Sequence, residues 1–298
     1  MQIIDAHHHL WDLERHHYPW LANPAPHPAG ELEPLRQSYR LADFLEDARH
    51  QDLVKSVHLQ AAMEGPLEAT AWLQSLADDP AGRGFPHAIV AFADLAEPGV
   101  EAVLERHSRY PNVRGIRFMV NFIEGEPLYC MTGRGDWLRD AQWRRGYALL
   151  ERYRLSFDLQ VYWQQMADAA ALAGAFPGIQ VMLNHAGLPH RRDPDYALSW
   201  RRGMRALAER PNVAAKISGL AMFDHDWTAD SIRPFVLDTI GIFGTARCMF
   251  ASNFPVDKLH GDYDAIWNAF DRLTADFSDA ERRALFHDNA ARFYRLGG

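Results

Sequence analysis

Eight short runs rich in β-branched and aromatic residues punctuate the chain, and each is followed by a longer stretch with helical apolar spacing. A parallel strand needs a crossover to return to the same edge of its sheet, so this alternation is the pattern of consecutive βα units. The strands read as Gln2–His8, Val54–Gln60, Pro86–Phe92, Val113–Met119, Ser156–Val161, Ile179–His185, Val213–Ser218 and Cys248–Ser252. Between and after them the spacing predicts helices over Leu41–His50, Leu67–Ala77, Gly99–Tyr110, Asp140–Tyr153, Met166–Phe176, Tyr196–Glu209, Ile232–Phe243 and Asp262–Thr274. One further helix, Asp279–Tyr294, follows, with Ser278 and Glu281 at capping-box spacing. Eight strands close a barrel. The expected fold is therefore α/β, a (β/α)8 barrel with an extra C-terminal helix, forming one domain over residues 1–298.

Composition narrows the partners. The formal net charge of −8 is spread along the chain, and no run of Lys or Arg is dense enough to follow a phosphate backbone, which argues against nucleic acid. No apolar run has membrane-spanning length, and the N-terminus enters a strand pattern without a leader's basic and apolar regions. Cys130 and Cys248 lie far apart, which suits neither a disulfide framework nor a paired-thiolate metal site. A reducing, cytoplasmic setting is the default expectation. A homo-oligomer is compatible with this composition, and the sequence leaves the assembly state open.

The chemistry-bearing residues gather at predicted strand ends. His7 and His9 are two apart in the first strand and so share a face, with His8 on the other. Two neutral imidazoles aimed into a barrel mouth are suitable ligands for zinc or a similar divalent ion. His185 ends the sixth strand before a flexible Gly. Arg117 lies three residues after Arg114 in the fourth strand, so only one of the two can face the mouth. Arg117, nearer the C-terminal end, is expected to hold a carboxylate or polarise a carbonyl oxygen. Gln60 is near enough to its strand end to touch substrate. Lys216 would lie at the mouth or in a rim ion pair, and Asp224–Trp227 reads as a solvated turn. Long connections at Leu10–Arg40 and Asn121–Arg139 leave strands where barrel loops build active sites. Trp163 falls close to that side.

In order along the chain, IIDAHHHLWD, YPWL, VRGIRF, FDLQV, VMLNHAGLP, KISGL, FASNFPVDKL and NAARFYRL resemble the lactonase branch of the amidohydrolase superfamily. That branch includes fuconolactone and related sugar-lactone hydrolases and the hydrolase of 2-pyrone-4,6-dicarboxylate. The resemblance implies a distorted TIM barrel, with His7 and His9 as the first-strand pair, His185 as the strand-six His, and Arg117 against the lactone or its carboxylate. It implies lactone hydrolysis, with a sugar-acid lactone such as L-fuconolactone as substrate; Gln60, Gln160 and Trp163, from their own positions near strand ends and mouth loops, are expected as further substrate contacts. A single divalent cation, zinc or another, held by His7, His9 and His185 is one expectation, and metal-independent action is the other.

Two positions depart from the pattern. The last-strand motif usually carries an Asp that receives the proton of the attacking water, whereas this chain has Asn253. An amide has no titration near neutral pH, so the base is sought at His185 or Asp257. Gln160 stands where two-metal relatives supply a ligand, which disfavours a two-metal site. The rival readings are an amidohydrolase-type decarboxylase or lyase, and a sugar-lactone-binding barrel weakened in catalysis.

Overall fold

The computed structural model, described over residues 1–23 and 25–297, turns the alternation into a ring. Strands β1 (Ile3–His8), β2 (Leu53–Leu59), β3 (Ala88–Ala91), β4 (Val113–Ile116), β5 (Ser156–Leu159), β6 (Val181–Leu183), β7 (Val213–Ile217) and β8 (Cys248–Phe250) lie side by side in chain order. All consecutive pairs are parallel. Each return therefore crosses outside the sheet, through helices such as Pro66–Asp78, Ala141–Arg152 and Ala229–Phe243. The fold is a (β/α)8 barrel, as the strand count predicts. Among the described residues, no helix is long and apolar enough to cross a membrane.

Strand periodicity sorts the core into two layers. Phe157, Leu159, Val181, Leu183 and Ile217 face the helices, while Ile4, Val57, Val90, Met182, Ala214 and Met249 fill the interior. In β1 the alternation breaks. Ala6 packs with the interior layer, yet the next residue, His7, also turns inward against His185. The pairing of β1 with β2 is irregular between Asp5 and His8, and that irregularity supplies the extra half-step.

The C-terminal helix is not one regular run, because a π-helical turn at Ala284–Asp288 separates Asp279–Arg283 from Asn289–Phe293. Its N-terminal capping box between Ser278 and Glu281 forms. The segment plugs the barrel at the end opposite the mouth. Ala290 and Tyr294 join the interior layer, and the Tyr294 hydroxyl donates to Asp158 at 2.8 Å. Asp158 also pairs with Lys216, and both side chains are fully buried. Lys216 thus belongs to the barrel interior rather than to its mouth or rim. Burial pulls its ammonium down to about 8, against the opposing pull of Asp158.

The ring closes between β8 and β1 through a seam. Asn253 N–H donates to the His7 carbonyl at 2.8 Å, and His9 N–H to the Phe254 carbonyl at 2.7 Å. Beneath them the buried Asp5 carboxylate accepts from Ser252 N–H at 3.0 Å, the Ser252 hydroxyl at 2.6 Å, the Tyr263 hydroxyl at 3.1 Å and His7 N–H at 3.1 Å. Burial outweighs those donors and lifts the Asp5 carboxyl to about 6. Asp5→Ala strands four buried donors at once, so it should cost about 3 kcal/mol or more of stability. Urea unfolding of the two proteins at neutral pH measures that loss; an unchanged midpoint would show that the seam does not depend on Asp5.

Candidate active site

The polar residues of the mouth stand one to three positions beyond the last paired residue of their strands: His9, Arg117, Gln160, His185 and Asn253. Both Arg117 and His185 were expected within strands. Backbone bonds between neighbouring segments persist at the rim, as with Arg117 N–H to the Ala91 carbonyl at 2.8 Å, although the residues lie past the paired strands. His185 opens a single 3-10 turn, His185–Gly187, and His185, Ala186, Gly187 and Leu188 all have positive φ. Asn253 has φ 59°, a left-handed conformation that asparagine tolerates better than most residues.

Three imidazoles meet here. The His7 ring lies 5.0 Å from the His9 ring and 4.4 Å from the His185 ring, centroid to centroid. His9 Nδ1 is 2.8 Å from the Leu59 carbonyl. A carbonyl only accepts, so Nδ1 carries the proton and Nε2 keeps its lone pair. His185 Nδ1 bonds the Ser218 hydroxyl at 2.9 Å. His7 lies buried beside them with neither ring nitrogen hydrogen-bonded. Burial holds all three well below the usual histidine range, reinforced by Lys216 at His7 and His185 and by Arg117 at His9. All three are therefore neutral near pH 7.

Neutral rings with an orphaned pair of nitrogens are the right donors for one divalent ion. Among the described residues, however, no three His, Cys, Asp or Glu side chains converge as a ready cation site. Donors of the right kind thus stand side by side without a preformed cage.

A cavity of about 770 Å³ opens above these rings. Its floor presents His9, His185, Arg117, Gln160, Asn121 and Asn253. Arg117 is buried; one guanidinium nitrogen donates to the Gln60 carbonyl and another reaches Gln160 Oε1 at 3.4 Å. Burial lowers it to about 10, which leaves it charged at neutral pH. Arg114 instead folds back onto the Pro111 and Val113 carbonyls, so Arg117 is the one that faces the mouth.

Asn253 donates its amide N–H to Asp257 Oδ1 at 2.7 Å. Asp257 is itself buried, and burial lifts its carboxyl to about 7. It does not line the cavity. Its carboxylate orients the amide from behind, which corrects the expectation that Asp257 meets a reacting water directly.

Two expected substrate contacts also fall elsewhere. The Gln60 side chain turns to accept Ala62 N–H at 2.7 Å, a local bond that removes it from this cavity. Trp163 packs against the helix-facing core, because Tyr162, its neighbour in the chain, takes the cavity side. Gln160 does line the floor. Asn121, Tyr162 and His27 are cavity residues that the sequence reading passed over; only the length of the two mouth loops flagged the neighbourhood of Asn121 and His27.

The chain belongs to the amidohydrolase family, which it matches over residues 4–296. It is 48% identical to the uncharacterized protein y4mH of Sinorhizobium fredii, over 99% of this chain and 98% of that one. It is 32% identical to an L-fucono-1,5-lactonase of Burkholderia multivorans, over 98% of this chain and 96% of the other. A crystal structure of an amidohydrolase from Burkholderia multivorans with bound zinc superposes with a TM-score of 0.82 at 29% identity, covering both chains fully.

Two predictions come from this geometry. Gly219 has φ 62°, and a Cβ there would lie 2.5 Å from His185 Nδ1. Gly219→Ala should push the ring off Ser218 and lower kcat about 10²-fold while the protein stays folded, read by steady-state kinetics beside circular dichroism. The second concerns pH. Burial holds His7, His8, His9, His58 and His185 below their unfolded value near 6.5, so only the unfolded chain gains those protons on acidification. Their contribution is complete above about pH 6.5 and is lost as pH falls, by up to about 1.4 kcal/mol per pH unit each. Asp5 and Asp257, raised to about 6 and about 7, act in the opposite sense. Five imidazoles outnumber two carboxyls, so the urea midpoint of chelator-treated protein should drop between pH 7 and pH 5.

Proposed function

We propose that this protein is a lactonase, opening the ester bond of a lactone by attack of water on the ring carbonyl. The observation that carries the reading is the meeting of His9 and His185 with the buried Arg117 on one cavity floor, the His7 ring packed against both imidazoles. Arg117 is positioned to bind the carbonyl oxygen as negative charge develops there. The Asn253 amide, held by Asp257, leaves its carbonyl oxygen to orient the attacking water. His185 Nε2 takes one proton from that water while the water oxygen bonds to the carbonyl carbon. The C–O bond of the ring then breaks, and the same proton passes to the departing alkoxide, giving a hydroxy acid that ionises.

A divalent cation is part of the proposal; His7 and His9 would hold it, which keeps His185 Nε2 free for the proton, and the zinc-bound relative supports it. When bound, such an ion supplies Lewis-acid polarisation of the carbonyl and a more acidic water. The relative named L-fucono-1,5-lactonase supports lactone opening, and makes L-fucono-1,5-lactone, the sugar-acid substrate expected from the sequence, one member of the panel to test.

The test is proton release from a panel of lactones, paired with metal analysis before and after chelation. Turnover above the spontaneous rate is expected, with His9→Ala losing any bound ion and at least about 10²-fold in kcat/KM. In the same assay Asn253→Asp should lower activity about tenfold or more, because it sets a second carboxyl against Asp257. A gain in activity would instead mark the asparagine as a damaged site, and folded protein that opens no lactone, with or without zinc, ends the proposal.

A further inference from the structure

The mouth cavity divides its chemistry by height. The floor groups are polar, whereas the rest of the lining is mostly apolar, with Met119, Met131, Leu188, Met222, Phe223 and Val256, and His27 and Tyr162 as its polar members. Leu188, Met222 and Val256 also pack with Ala29, Ile123 and Tyr162 into an apolar cluster separate from both barrel layers. Trp20 completes the wall as a ring, since its indole N–H is engaged by the Ala61 carbonyl at 2.9 Å. No Asp or Glu is among the described residues that line this cavity.

That absence matters for what can be enclosed. Each hydroxyl of a sugar-acid lactone is a donor, and once water is expelled an unmet donor costs binding energy. Carboxylates are the strongest acceptors for such groups, and the walls hold none. The acceptors left on the floor, His9 Nε2, His185 Nε2 and the Asn253 carbonyl oxygen, are the ones the reaction itself uses. Gln160 contacts Arg117 and Asn121, at 3.4 and 3.3 Å, the Asn253 amide N–H is given to Asp257, and His9 Nδ1 to Leu59. Methionine side chains, by contrast, adapt closely to hydrocarbon of varied shape.

Building on the lactone-opening reading, we infer that the preferred substrate is a lactone bearing an alkyl or aryl arm and few free hydroxyls. The ester group lies on the polar floor, and the arm lies against the methionine-lined wall. The wall, and not the reacting centre, then sets the discrimination against polyhydroxylated rings.

The experiment compares kcat/KM for six-membered lactones carrying no substituent, ethyl, butyl, hexyl or phenyl with that for L-fucono-1,5-lactone. Efficiency should rise about fourfold per methylene until the cavity is filled, and the hexyl lactone should exceed the sugar lactone by about tenfold or more. Met222→Gln should flatten the dependence on arm length, and Met131→Gln, at a half-buried wall position, provides the same readout if the first variant does not fold. A flat response to arm length in the unaltered protein, or L-fucono-1,5-lactone as the better substrate, overturns this inference and leaves lactone opening intact. Failure to open any member of either series, from folded protein with and without zinc, overturns both.

Discussion

The closure of the barrel between its last and first strands is the constraint on which the rest depends. Asp5 sits fully buried in that seam and gathers four donors from β1, from the residues after β8 and from Tyr263. Above it, the backbone bonds that finish the ring are made by His7, His9, Asn253 and Phe254. The residues that join the two ends of the sheet are therefore the residues that present chemistry to the mouth. Placing a site on hydrogen-bonded backbone from rigid elements holds its side chains more tightly than a loop would.

Charge in this barrel is arranged so that the cavity is cationic and its acids are hidden. Arg117 faces the mouth, and Lys216 lies within the barrel beneath it, paired to Asp158. The acids closest to the site, Asp5 and Asp257, are turned to the seam and to the back of the Asn253 amide. Burial, aided by the nearby cations, keeps the imidazoles neutral. Such an enclosure suits a neutral substrate whose carbonyl oxygen becomes negative during reaction, since fixed donors in a dry site need little reorganisation. The two long mouth loops complete the lining. Trp20 and His27 come from the first, Asn121 and Met131 from the second, and neither brings a carboxylate to the cavity.

Much of this was legible in the order of residues. The switch between periods of two and of about 3.6 depends only on local backbone geometry, and it predicted the eight strands, their parallel sense and the leftover C-terminal helix. The i, i+2 rule put His7 and His9 on one face and His8, which stacks on Phe44, on the other. The same rule sets Arg114 and Arg117 on opposite faces, and nearness to the strand's C-terminal end selects Arg117, in agreement with the cavity. Past the strand ends the rule lapses. Gln60 and Trp163 were assigned by parity or proximity, and a bond to Ala62 and a turn after β5 sent them elsewhere.

By itself the sequence determined the repeat, the inward imidazole pair and the amide at Asn253, because each is written in spacing or identity. Only the tertiary structure decided that Lys216 would lie inside the barrel, that Asp257 would stand behind Asn253, and that hydrocarbon would wall the mouth. Apart from Asn253 and Asp257, which are four positions apart, those facts join residues tens to hundreds of positions apart. Their contacts arise from ring closure and from loops folding over the rim, and neither leaves a periodic mark on the chain.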